Sequence, residues 1–220
     1  NTSLDYDFKE ENSAAYTQLS GKIKKISFSA GLRVENTNVS GKYRTDASAL
    51  IDKNYTNLFP KVQFSMPIDN TKNISLNYAK SISRPNYSSL SNIATYINPY
   101  FIYASNMNLG PTFNNEISST FQYNDKSVKV SYWQNKNPVY NSFLYDKSQN
   151  IMTFKDINFD KEAGLSLDFE LPFTYKFWTT TNSLVFILEK IEDPSAEFLD
   201  SKTYLYYYSN NEFKLPKEYT

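Results

Sequence analysis

The 220 residues carry 23 Lys plus Arg against 23 Asp plus Glu, with no Cys and no His. The balanced charge removes the electrostatic case for a nucleic-acid partner. The missing residue types remove disulfides, thiolate chemistry, zinc centres of the usual kind and every His-dependent triad or acid–base pair. Tyr (19) and Phe (16) dominate the aromatic content, and such side chains favour pleated, half-buried surfaces. Mean hydropathy is −0.57, and no run approaches the roughly 18 to 20 apolar residues of a transmembrane helix. A wall of membrane-spanning strands alternates its two faces, so its average hydropathy resembles that of a soluble protein.

In chain order, Asn1–Asp5 has neither the basic region nor the apolar core of a signal peptide. Ala15, Thr17 and Leu19 then mark one face of a first strand. The run Ile26, Phe28, Ala30, Leu32, Val34 alternates with Ser27, Ser29, Gly31, Arg33, Glu35. Leu58, Val62, Phe64, Met66 and Ile68 stand opposite Lys61, Gln63 and Ser65; Ile74, Leu76 and Tyr78 oppose Ser75, Asn77 and Ala79. Ile117, Phe121 and Tyr123 follow, then Val128, Val130 and Tyr132 against Lys129, Ser131 and Trp133. Leu165, Leu167, Phe169, Leu171 and Phe173 oppose Ser166, Asp168 and Glu170, before strands from Trp178 to Leu188 and from Thr203 to Leu215. A helix, with a period of 3.6, cannot hold those sets on one side. The pattern predicts about nine strands.

The links between them alternate in length. Short ones fall at Gly21 to Lys25, Asp69 to Lys72, Asn124 to Lys126 and Pro172 to Lys176. Long ones fall at Asn36 to Asn54, Arg84 to Pro111, Lys136 to Asp160 and Glu189 to Lys202. Short periplasmic turns and long extracellular loops are the rhythm of an all-β, antiparallel up-and-down transmembrane β-barrel segment. On that reading Ile26, Phe28, Leu32, Val34, Leu165, Leu167 and Phe169 face lipid, and Arg33, Glu35, Lys61, Gln63, Asp168 and Glu170 face the lumen. Phe173, Tyr175, Phe177 and Trp178 form an interfacial girdle around one short turn. The chain stops within an expected turn at 214–220, so residues 1–220 read as one partial barrel domain cut at both ends.

Asp168 and Glu170 share one strand face, a spacing that brings a glycosidase pair to mind, but charge lining a wet interior accounts for them. Asp156, Asp160 and Glu162 lack the Gly and the ligand spacing of a calcium loop. No catalytic residue, metal ligand or cofactor is assigned. The connection from Arg84 to Pro111 is richer: Tyr87, Tyr96, Tyr100, Phe101 and Tyr103 sit beside Asn86, Asn92, Asn98 and Asn106. Rings with amides suit a carbohydrate or peptide ligand; the plainer reading is that they pack the loop on itself.

Several strings then resemble a known family. Ser13-Ala14-Ala15-Tyr16, Ser20-Gly21-Lys22 and Ala30 to Thr37 are similar to an opening hairpin of the outer-membrane β-barrel proteins related to TonB-dependent receptors, abundant in Bacteroidota. Tyr55 to Pro60, Leu76 to Tyr87 with its Arg84-Pro85 pair, Asn98-Pro99-Tyr100 and Asn106 to Pro111 continue the resemblance in order. It covers roughly residues 6 to 123 by motif and the remainder by rhythm. Gly110, Thr112 and Ser105 depart from the family's usual Lys, Glu and Gly. The resemblance implies residence in the Gram-negative outer membrane, contact with lipid, and energised solute uptake. The plug domain and TonB contact would lie in parts of the protein outside these residues. Two other readings stand beside it: a non-transporting barrel subunit that pairs with other outer-membrane or secretion proteins, and a secreted, soluble, β-rich carbohydrate-binding protein. None of the three is an enzyme.

Overall fold

The computed structural model describes residues 6–43, 46–91, 93–194 and 198–214. Residues 1–5 and 215–220, on which the expectation of cut ends rests, lie outside the described residues, as does Asn92. The strands are β1 (Tyr6–Ile23), β2 (Ile26–Tyr43), β3 (Asp46–Pro67), β4 (Lys72–Ser83), β5 (Ala94–Asn98), β6 (Phe101–Ala104) and β7 (Thr112–Tyr123). They continue as β8 (Lys126–Lys136), β9 (Val139–Asp146), β10 (Ile151–Asn158), β11 (Lys161–Tyr175), β12 (Trp178–Asp193) and β13 (Phe198–Phe213). A short 3-10 helix spans Tyr87–Leu90.

Nine of these strands form one sheet in the order β1-β2-β3-β4-β7-β8-β11-β12-β13, every pair antiparallel. This is the nine-strand meander that the alternation predicts. Residues opposite one another on neighbouring strands share a face, so the register sorts the side chains. One row runs Phe28, Phe64, Leu76, Ser119, Val130, Leu167, Phe186, Leu205. The next on that face runs Ala30, Val62, Tyr78, Ile117, Tyr132, Leu165, Leu188, Thr203. A third runs Met66, Ile74, Phe121, Val128, Phe169, Leu184, Tyr207. The other face carries the row Ser29, Gln63, Asn77, Ser118, Ser131, Ser166.

The apolar face is also the open one. Leu58 and Phe173 are each 52% exposed, whereas Ser118, Ser131 and Ser166 on the polar face are buried. Ile26, Phe28, Leu32, Val34, Leu165, Leu167 and Phe169 all lie on the first face, and Arg33, Glu35, Lys61, Gln63, Asp168 and Glu170 all on the second. Soluble sheets bury the apolar side.

The tight turns at Lys24-Lys25, Asn124-Asp125 and Lys176-Phe177 each open with a residue in the left-handed region (Lys24 φ 54, Asn124 φ 52, Lys176 φ 52). Two-residue hairpins demand this conformation. Around the last turn, Phe173 meets Trp178 edge-on at 6.2 Å between ring centroids, and Trp178 stacks on Phe213 at 6.3 Å.

The link boundaries need correction. Asn36 to Asn54 is mostly paired strand, because β2 and β3 stay in register from Val34↔Leu58 up to Gly41↔Ile51. Glu189 to Lys202 is likewise largely strand, with pairing from Glu189↔Lys202 to Asp193↔Phe198. Pro172 to Tyr175 belongs to β11, which leaves only Lys176-Phe177 as the turn. Beyond the apolar band polar residues predominate on both strand faces, broken only by isolated apolar ones such as Val39, Ile51 and Ile191, so the alternation that marks a strand fades while the backbone ladder continues. The connections 84–111 and 137–160 are also structured, and build a second sheet.

Candidate functional site

That second sheet has the order β5-β6-β10-β9. It joins two hairpins from different connections: β5-β6 from 84–111 and β9-β10 from 137–160. The seam is a short parallel ladder, Met152↔Phe101, Thr153↔Ile102 and Phe154↔Tyr103. Asn158 stitches the bases of the two connections. Its side-chain amide donates to the carbonyls of Gly110 (3.1 Å) and Asn137 (2.8 Å), while its Oδ1 accepts from the Gly110 N–H at 2.7 Å. Higher up, Asn106 Nδ2 donates to the Asp156 carbonyl at 2.9 Å and Ser89 Oγ to Asp156 Oδ2 at 3.2 Å.

The joined loops are held to the inner, polar face of the wall. Arg84, at the exit of β4, donates to Glu35 of β2, reaches Thr37 Oγ1 at 3.2 Å and lies 3.1 Å from Glu10 Oε1 of β1. Arg33 donates to the other oxygen of Glu35. Glu35 is 3% exposed and Thr37 1%, so this clasp is covered by the loop it holds. A small apolar core lies beside it: Leu90 and Leu109 from the loop pack with Val39 and Ile51 of the extended β2-β3 hairpin, flanked by Phe8, Tyr55, Met107 and Val139. Lys53 Nζ donates to the Leu109 carbonyl at 3.3 Å.

Between loop sheet and wall lies a cavity of about 500 Å³ lined by residues that include Arg84, Ser89, Asn114, Asn135, Asp156 and Glu162. Glu162 is its most elaborated group. Its carboxylate accepts from Trp133 Nε1 (3.2 Å), Asn135 Nδ2 (3.2 Å) and the Tyr140 hydroxyl (2.9 Å). Asn114 in turn donates to Asn135 Oδ1 at 2.6 Å. Burial and the adjacent Glu162 carboxylate push the Tyr140 hydroxyl well above its ordinary range, so Tyr140 stays a donor. The Trp133 ring lies over Gly164, its opposite number on β11; a Cβ there would collide with the indole.

Of the five aromatic residues singled out in 84–111, the structure brings two together. Phe101 and Tyr103 share a sheet face with Phe143, Tyr145, Met152 and Phe154 of the other hairpin. Tyr103–Phe154, Phe143–Phe154 and Phe101–Phe143 centroids are 5.4, 4.7 and 6.4 Å apart. Tyr96 pairs with Ile102 on the opposite face, Tyr100 lies in the β5-β6 turn, and Tyr87 stands on the 3-10 helix; all three are exposed. Phe143, Tyr145, Met152 and Phe154 are absent from the sequence reading. Their signal is the i, i+2 spacing on either side of the turn at Lys147–Asn150, legible as a hairpin with one aromatic face. That face continues to Asp156, and so runs from the rings to the cavity.

The sequence matches the family described as "Outer membrane protein beta-barrel family" over residues 1–220. Comparison with curated proteins gives no match. Among solved structures, the fold is similar to that of "Copper transporter OprC", with TM-score 0.62 and 15% identity over 89% of this chain and 30% of that one. It is also similar to the Serratia marcescens hemophore receptor HasR, solved as a double mutant with its hemophore HasA and heme (TM-score 0.64, 12% identity, 92% of this chain, 41% of that one). The alcaligin outer-membrane receptor FauA from Bordetella pertussis gives TM-score 0.55 at 12% identity, over 96% of this chain and 35% of that one. The chain thus spans well under half the length of each. With an open apolar face, a polar inner face and the family match over its whole length, the chain is a partial β-barrel of the Gram-negative outer membrane and belongs to the outer membrane protein β-barrel family.

Proposed function

We propose that this chain is wall and mouth of a TonB-dependent-receptor-like transporter, taking up a solute rather than catalysing a reaction. The observation that carries the reading is the union of two connections into one sheet, clasped to the polar inner face with a cavity beneath it. A barrel that only filled membrane area would have no use for such a device. Ile26, Phe28, Leu32, Val34, Leu165, Leu167 and Phe169 contact lipid, and Arg33, Glu35, Lys61, Gln63, Asp168 and Glu170 line the interior. Tyr87, Tyr96, Tyr100, Phe101 and Tyr103 offer ring surfaces to arriving solute at the mouth. A plug domain and the TonB contact are supplied by other parts of the protein. The copper transporter, alcaligin receptor and hemophore receptor of similar fold support the class of function and leave the solute open.

The exposed aromatic face of the loop sheet favours a second reading, a barrel that docks another outer-membrane protein and moves no solute. Uptake by energised cells separates the two. With residues 86–109 replaced by a short Gly/Ser linker, a transporter loses its solute-dependent growth or accumulation while the barrel keeps its heat-modifiable gel mobility. Unchanged uptake by the loop-replaced protein would overturn the transporter reading.

A further inference from the structure

We infer that the cavity between the loop sheet and the wall is a binding site for a small solute that carries a protonated amine among several hydroxyl or amide donors. This rests on the transporter reading for its biological purpose but not for its chemistry. The cavity, at about 500 Å³, falls in the size range of small-molecule sites. Two carboxylates open onto it, Asp156 from the loop sheet and Glu162 from the wall. Among the described residues, neither forms an ion pair with a Lys or Arg, whereas Arg84, which also lines the cavity, is already engaged by Glu35 and Glu10.

A carboxylate has about four acceptor positions. Glu162 spends three of them on Trp133, Asn135 and Tyr140 and meets the Glu189 carboxyl with the fourth, and Asp156 spends its side chain on Ser89 and Asn141. Those partners fix both groups in place and leave acceptor capacity over on Asp156. They do not neutralise the charge. Asn86 also lines the cavity; it sits at the cap of the 3-10 helix, yet its side chain makes no capping bond. The cavity therefore holds fixed negative charge, spare acceptors and a free amide, and its one cation is committed elsewhere. A cationic, donor-rich solute complements that set; a carboxylate or phosphate solute would be repelled by it.

The approach to the cavity has the same character. The aromatic face of the loop sheet leads from Phe143 and Phe154 directly to Asp156. Ring faces attract ammonium groups and stack on the apolar faces of sugars. A solute with both features would be held at every stage of its descent.

The experiment uses the full-length protein in detergent micelles and two probes of like size, the disaccharide of glucosamine with both amines free and its di-N-acetylated form. Calorimetry below pH 7, where the amines are protonated, should show binding of the free amine at least about tenfold tighter than of the acetylated sugar. Raising the salt should weaken it. Asp156→Asn, which keeps the size, still accepts from Asn141 through Oδ1 and can donate through Nδ2 to the Ser89 hydroxyl, should cost about tenfold in affinity for the amine without altering the barrel's heat-modifiable mobility. Equal affinity for the two probes, no binding of either, or an Asp156→Asn protein that binds as the parent does would each overturn the inference. Transport is read separately: binding of the amine without its uptake leaves this site standing and removes the transporter reading, and uptake of other solutes without amine binding does the reverse.

Discussion

The wall and the mouth of this molecule are both β-sheet, and they are held by different forces. In the wall, ladders are long, as from Lys161↔Glu192 to Tyr175↔Trp178, and the β2-β3 ladder shifts register only at its far end, at Lys42. The pairing alone fixes every side chain to one face. The loop sheet has a seam between Met152↔Phe101 and Phe154↔Tyr103 and a register break between Tyr96 and Asn98. Backbone pairing that short cannot hold a sheet by itself. Its position depends on side chains: the Arg84–Glu35 clasp, Asn158 between two connections, and the small core around Leu90 and Leu109. A wall built on ladders tolerates surface change; a mouth built on clasps does not.

The largest effect should therefore come from a single side chain of the mouth. Arg84→Ala takes from Glu35, a buried carboxylate, one of its two arginine partners and from Glu10 its ion pair, a change worth about 3 kcal/mol, the low end for breaking a buried pair because Arg33 stays on Glu35. The expected outcome is rapid proteolysis within 84–111 by external protease, with barrel heat-modifiability retained. If the loop stays as protected as in the parent, the clasp is not what holds the mouth.

The wall should yield only to a substitution that attacks its solvent. Leu167→Arg places a charge in the middle of the row Val130, Leu167, Phe186, at about 2 to 4 kcal/mol if that row meets hydrocarbon near the bilayer midplane. Refolding titrations into lipid vesicles would show the loss. The same substitution at Ser166, on the opposite face, should cost far less, and equal costs would erase the distinction between the faces.

The smallest effect lies at a short turn of the wall. Asp69 accepts from the backbone N–H and hydroxyl of Thr71 and pairs with Lys72; those bonds, the backbone one first, hold its carboxyl below the usual carboxylate range. A depressed carboxylate contributes stability above its unfolded pKa of about 4 and loses it as pH falls through the lower folded value. Asp69→Asn should thus weaken the turn slightly at neutral pH and not in strong acid. Amide exchange at Thr71 and Lys72 reports it, and a pH-independent difference would contradict the assignment.

These contrasts also explain what was legible in the sequence. Faces of the wall could be read because the apolar band forces alternation: Leu165 to Phe173 shows it without knowledge of any partner. The mouth was not legible in the same way. The β6-β10 seam joins residues such as Phe101 and Met152 through a parallel pairing that no local turn announces. Arg84 was visible as the start of a loop and as half of a family-like Arg-Pro pair, but its clasp was not, since its partners Glu10 and Glu35 are far away in the chain. Glu162 could be weighed as a calcium ligand from its neighbours in sequence and set aside, but its real neighbours, Trp133, Asn135 and Tyr140, come from two other strands. Gly164 gave the one local hint. A glycine inside a strand marks close approach by something large, and here that is Trp133.

The register carries a further consequence. Leu165 begins the apolar run of β11, yet following the row through Tyr132, Ile117, Tyr78 and Val62 leads to Ala30, the middle of the run in β2. The band slips by about four residues over about five strand steps, which at roughly 3.4 Å per residue and 4.8 Å per strand is a lean of about 30° from the membrane normal. Leaning strands each occupy about 5.5 Å of circumference, so nine of them cover roughly 50 Å of rim. If the whole protein closes as the 22-stranded ring of plugged outer-membrane transporters, that spacing makes it roughly 40 Å across. On such a rim the four-stranded loop sheet is a bracket fixed to one side of a wide opening, and solute held in it would still have most of the bore below it to cross.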